Sequence, residues 1–104
     1  MAPAAFHHEL DAERAVLVVH GEVDDRASVV LLEAIEQGSH ALATALAVDL
    51  AHVSFLPSPA IAVLATCQAR ARRQGTTLTL VAPEGSVAAR VLTICAIDYV
   101  RTWG

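Results

Sequence analysis

Two apolar runs, Ala15-Val16-Leu17-Val18-Val19-His20 and Ala45-Leu46-Ala47-Val48-Asp49-Leu50, constrain this chain more than anything else in it. Neither alternates with polar residues, so each reads as a strand covered on both faces or lying centrally in a sheet. Between them lies a stretch of helical periodicity, Ser28 to Gly38. Ser28, Leu31, Leu32 and Ile35 share one side, and Glu33, Glu36 and Gln37 take the other. Strand, crossover helix and strand form a βαβ unit, which makes the two strands parallel. Asp24 or Asp25 is placed to cap the helix at its start, and Gly38 to end it.

The remaining elements follow from this core. Phe6 to Leu10 is a short strand that turns back through Asp11-Ala12-Glu13 into the first apolar run. Thr77-Leu78-Thr79-Leu80-Val81 alternates and belongs near a sheet edge. Pro83-Glu84-Gly85 is a turn. Ser86 to Ile94 is a helix with Val87, Arg90, Val91 and Ile94 at helical spacing, and Tyr99 to Trp103 is a final strand. The expected order is β-β-α-β-α-β-α-β: an α/β fold with a mostly parallel central sheet of about five strands and helices packed against it. At 104 residues the chain is expected to form a single domain, 1–104.

The stretch Val53-Ser54-Phe55-Leu56-Pro57-Ser58-Pro59-Ala60-Ile61 joins the second apolar run to a long helix. Proline is favoured in a first helical turn, and Pro59 biases Ser58 towards extended backbone. Ser58 is therefore expected to be the N-cap of that helix, contributing about 1 kcal/mol. The first two turns, Ala60 to Thr66, are apolar almost all round, so one side should meet the sheet and the other leave an apolar patch beside Ser58. Arg70, Arg72 and Arg73 complement the helix C-terminus, and Gly75 terminates it.

Composition removes several functional classes. The net charge is −4 and lysine is absent, which argues against a nucleic-acid partner. No apolar run is long enough to cross a bilayer, and no secretory leader is legible, so the expected setting is the cytoplasm. Cys67 and Cys95 sit in apolar surroundings and are expected to be small buried hydrophobes. No nucleotide-binding loop, catalytic triad or cofactor motif is present. A metal site is not expected: His7 and His8 point to opposite faces of a strand, and His20, His40 and His52 are scattered. Glu22, Asp24 and Asp25 form an acidic cluster at a strand end. In an open parallel sheet that cluster and Ser58 both follow strand C-termini, on the rim where sites gather.

Gly21-Glu22-Val23-Asp24, Val48-Asp49-Leu50, Val53-Ser54-Phe55-Leu56 and the helix start Ala60-Ile61 together resemble the STAS domains, and among them the bacterial anti-sigma-factor antagonists. Gln74-Gly75-Thr76-Thr77-Leu78 and Val87-Ala88-Ala89-Arg90-Val91-Leu92 fall in the same register, so the resemblance covers nearly the whole chain. It implies a non-enzymatic regulatory module that binds an anti-sigma factor, often a serine kinase, whose phosphorylation of the antagonist breaks the complex. The family's acceptor motif reads Asp-Ser-Ser/Thr-Gly-Leu. Here the aligned residues are Pro57, Ser58, Pro59, Ala60 and Ile61, so the acceptor serine persists as Ser58 while its neighbours differ. The expected contact surface comprises Glu22, Asp24, Asp25, Pro57, Ser58, Pro59, Ala60, Ile61 and Val63. The resemblance also admits a non-phosphorylated STAS subunit of a larger lipid-transport or stressosome-like assembly, a weak homodimer, or a small-ligand-binding STAS domain.

Overall fold

The computed structural model describes residues 5–102. Seven elements follow one another: β1 (His7–Asp11), β2 (Val16–Glu22), α1 (Asp25–Gly38), β3 (Leu46–Phe55), α2 (Ser58–Arg73), β4 (Leu78–Val81) and α3 (Val87–Ile94). The strands form one sheet in the order β1-β2-β3-β4. β1 pairs antiparallel with β2, and β2–β3 and β3–β4 are parallel, as the βαβ pattern requires.

One face of the sheet and all three helices build a single core. Leu17, Val19, Val48, Leu50 and Leu80 meet Leu31 and Ile35 of α1, Leu64 and Cys67 of α2, and Leu92 of α3. Alternate strand residues point the other way, where Val16, Ala47 and Val81 make a small second cluster. Glu36 of α1 and Arg70 of α2 join the two helices through a 3.1 Å ion pair.

The fifth strand expected at Tyr99–Trp103 is reduced to a single bridge. Val100 donates its N–H to the Leu80 carbonyl and accepts from Ala82 N, both at 2.8 Å. Just before it, the Asp98 carbonyl accepts from Gln68 of α2 and the Asp98 carboxylate pairs with Arg72, each at 2.9 Å. These bonds tie the chain to α2, so it touches the β4 edge at one residue; Trp103 lies outside the described residues.

Three helix boundaries differ from expectation. α1 starts at Asp25, earlier than Ser28, while its N-cap is Asp24, one of the two expected: the Asp24 carboxylate accepts from Ala27 N at 2.8 Å. Gly38 stays helical, and a methyl there would stand 3.1 Å from Cδ1 of the exposed Leu10. The chain turns instead at Ser39, whose buried hydroxyl donates to the Ile35 carbonyl and accepts from Leu42 N, before three left-handed residues, His40 to Leu42. α2 begins one residue earlier than expected. Ile61 N bonds to the Pro57 carbonyl at 3.1 Å, making Pro57 the N-cap and Ser58 the first helical residue. The bias of Pro59 against a helical Ser58 is overridden in this first turn, where Pro59 forgoes only an N–H that would have no intrahelical partner.

α3 also turns its residues differently. Ala88, Ala89 and Leu92 face the core, whereas Val87 and Ile94 are exposed. Cys67 is buried as expected, but Cys95 is on the surface, against expectation.

Candidate functional site

β3 is not a regular strand, and its irregularities build the site. Val18 pairs with Asp49 and His20 with His52, so β3 spends one more residue than β2 over this interval. The Asp49 carboxylate accepts from Ala51 N at 2.9 Å and holds the extra residue in place. A second slip follows: Gly21 pairs with Val53, but Glu22 with Phe55. Gly21 adopts φ 85°, a left-handed geometry that suits a residue without a Cβ. Each slip reverses the alternation of side chains along β3. As a result Val53 is buried, while Phe55, two residues on, is 49 % exposed.

Beyond the slips, the two strand ends are bound together. Val23 donates its N–H to the Phe55 carbonyl at 3.0 Å. This brings the β2–α1 turn beside the β3–α2 turn, as the rim argument expects. Asp24, Asp25, Arg26, Phe55 and Pro57 line an open depression of about 510 Å³ between them.

Of the residues expected on this surface, Asp24, Asp25, Ser58 and Pro59 are exposed, and Glu22, Pro57, Ile61 and Val63 are half-buried. Ala60 is fully buried against the core and offers no surface. The Ser58 hydroxyl makes no hydrogen bond among the described residues, and the helix carries no side-chain cap, so the role expected of Ser58 as N-cap is replaced by a free, outward hydroxyl. Helix N-termini favour negative charge, and no acidic residue occupies the first turn of α2. Phe55 and Arg26 were not among the expected site residues. Phe55 lies past both slips and so keeps the outward direction that alternation from Leu50 gives it, whereas Val53, past only the first, is turned into the core.

The histidines are not scattered. His7, His20 and His52 lie on three adjacent strands in register and stack, with ring centroids 4.2 Å and 5.0 Å apart and both pairs within 5° of parallel. Sequence spacing could not reveal this, because the first slip in β3 turns His52 to the same side as His20. At Cys67, burial pushes the thiol pKa up, with Arg70 acting in the opposite sense.

The four-stranded, mostly parallel sheet with three helices on one face is the α/β arrangement that the resemblance to the STAS domains implied. Comparison with known proteins gives the family directly: the family model described as "Mlab, STAS domain" matches residues 6–99, and the chain belongs to that family. Among solved structures, the fold is similar to that of the anti-sigma-factor antagonist SpoIIAA in its unphosphorylated form. The two share 20 % identity and a TM-score of 0.66, over 89 % of this chain and 82 % of the other.

Proposed function

We propose that this chain is a regulatory protein-binding module of the antagonist type, which docks an anti-sigma factor through the rim formed by Asp24, Asp25, Phe55, Pro57 and the first turn of α2. The observation that carries this reading is Ser58: exposed, unengaged in hydrogen bonding, and at the first position of a 16-residue helix beside the depression. A phosphate there would carry about −1.5 to −2 charges. The helix N-terminus would stabilise it, while Asp24 and Asp25 add to the negative charge facing the partner. Phosphorylation would then weaken docking.

The test is to mix the protein with its cognate anti-sigma factor, with and without ATP. Complex formation without ATP, and one added phosphate on Ser58 with loss of the complex when ATP is present, is the expected result. Finding neither a phosphate nor a complex would refute the reading.

A second reading is favoured by a specific feature of the same turn. Pro57 and Pro59 flank Ser58, stiffen it and remove the N–H that would follow the acceptor. Under that reading the chain is a permanently docked, unmodified STAS subunit of a larger assembly. Ser58→Ala then leaves docking unchanged, and ATP has no effect on the complex.

A further inference from the structure

The open face of the sheet carries a feature that the docking rim does not use. His7 and Glu9 are two residues apart on β1 and so share a face. His20 lies opposite His7 on β2. One ligand atom from each of the three residues falls within 4.8 Å of the others, and His20 Nε2 stands 3.8 Å from Glu9 Oε1. We propose that His7, Glu9 and His20 form a binding site for a divalent late transition ion of the Zn²⁺ type.

The donor set selects the metal. Two imidazoles and one carboxylate suit Zn²⁺, Ni²⁺ or Cu²⁺, whereas Mg²⁺ and Ca²⁺ prefer all-oxygen shells. A tetrahedral Zn²⁺ with ligands at about 2.0–2.2 Å needs its donor atoms about 3.3–3.5 Å apart. The present spacing is wider by roughly an ångström. Side-chain rotation covers that distance, because His7 and Glu9 are exposed and their strand is an outer one. The parallel stack of His7 on His20 must open, since each ring has to bring its nitrogen lone pair onto a shared point. His52 stacks on the far side of His20 and limits that ring's freedom, so His7 makes most of the adjustment.

Three protein ligands leave a fourth position for water or for a group from outside. Binding would also clip β1 to β2. All five β1 residues are exposed, so little apolar burial holds the strand in place. An ion bridging the two strands binds the folded chain and not the unfolded one, and therefore stabilises it.

The test is titration of the purified protein with ZnCl₂, followed by calorimetry and thermal unfolding, with the histidine ring signals followed by NMR. The expected result is one Zn²⁺ per chain, a raised Tm, and shifts in the His7 and His20 ring signals. Loss of an outer-shell support typically lowers metal affinity by about 10- to 100-fold, so His7→Ala, Glu9→Gln and His20→Asn should each cost at least that much. His8→Ala, on the opposite side of β1, should leave binding intact. Glu9→Gln changes an exposed carboxylate and keeps the test valid if His20→Asn unfolds. Absence of binding, or binding abolished by His8→Ala and unaffected by Glu9→Gln, overturns the site.

Discussion

Phe55 sits opposite Glu22, although two residues earlier Val53 sits opposite Gly21. That slip cancels the reversal made by the earlier one and keeps the aromatic ring out of the core. The bond from Val23 N to the Phe55 carbonyl then holds the strand end in place. An exposed aromatic fixed on a rigid strand end, beside a polar turn, is the kind of group that carries docking energy.

Phe55→Ala is therefore expected to weaken partner docking by about 2 kcal/mol, the scale of an interface hot spot. Because the ring is half-exposed in the free protein, the urea midpoint should move little. Calorimetric titration against the partner, paired with urea unfolding of the variant alone, separates the two effects. An unchanged affinity removes Phe55 from the interface.

The two rim residues that look like helix caps should behave differently. Asp24→Ala removes the bond to Ala27 N and should cost about 1 kcal/mol of stability. Ser58→Ala removes a hydroxyl with no partner in the fold, and should stay within about 0.5 kcal/mol of the parent, as exposed substitutions do. Urea unfolding of both variants checks the contrast. A cost for Ser58→Ala equal to that for Asp24→Ala would return Ser58 to a capping role.

Gly38→Ala should stabilise the fold. Gly38 is the last residue of α1, where alanine keeps part of the advantage of about 0.8–1.0 kcal/mol that it has over glycine in a helix interior. The new methyl meets Leu10 Cδ1 at 3.1 Å, but Leu10 is partly exposed and its side-chain end can move. A net gain of about 0.5 kcal/mol is expected, read from the shift in Tm. Destabilisation would mean that Leu10 is held firmly against α1.

The two thiols should separate under alkylation. Cys95 is exposed and should react rapidly with iodoacetamide. Cys67 is buried with its pKa raised, so at neutral pH it holds less thiolate than an ordinary cysteine and is also shielded. Timed labelling and peptide mass spectrometry should show one fast site and one that reacts only on denaturation. Equal rates would indicate ready opening of the α2 core face.

The amino-acid sequence by itself determined the element order up to α3, the parallel pairing of β2 with β3, and the position of the rim. These depend on local periodicity and on the handed geometry of a βαβ unit, both of which neighbouring residues encode. Uninterrupted apolar runs such as Val16 to Val19 suit a central strand. Side-chain direction along β3 was decided by tertiary structure. Strand alternation has a period of two, so one extra residue reverses every position after it. No composition signal marks those residues, because the slips exist only relative to β2. They align His52 with His20 and turn Val53 into the core, while Phe55, past both, faces out. The start of α2 was likewise decided by which carbonyl Ile61 reaches, and that left Ser58 free where its sequence context had made it a cap.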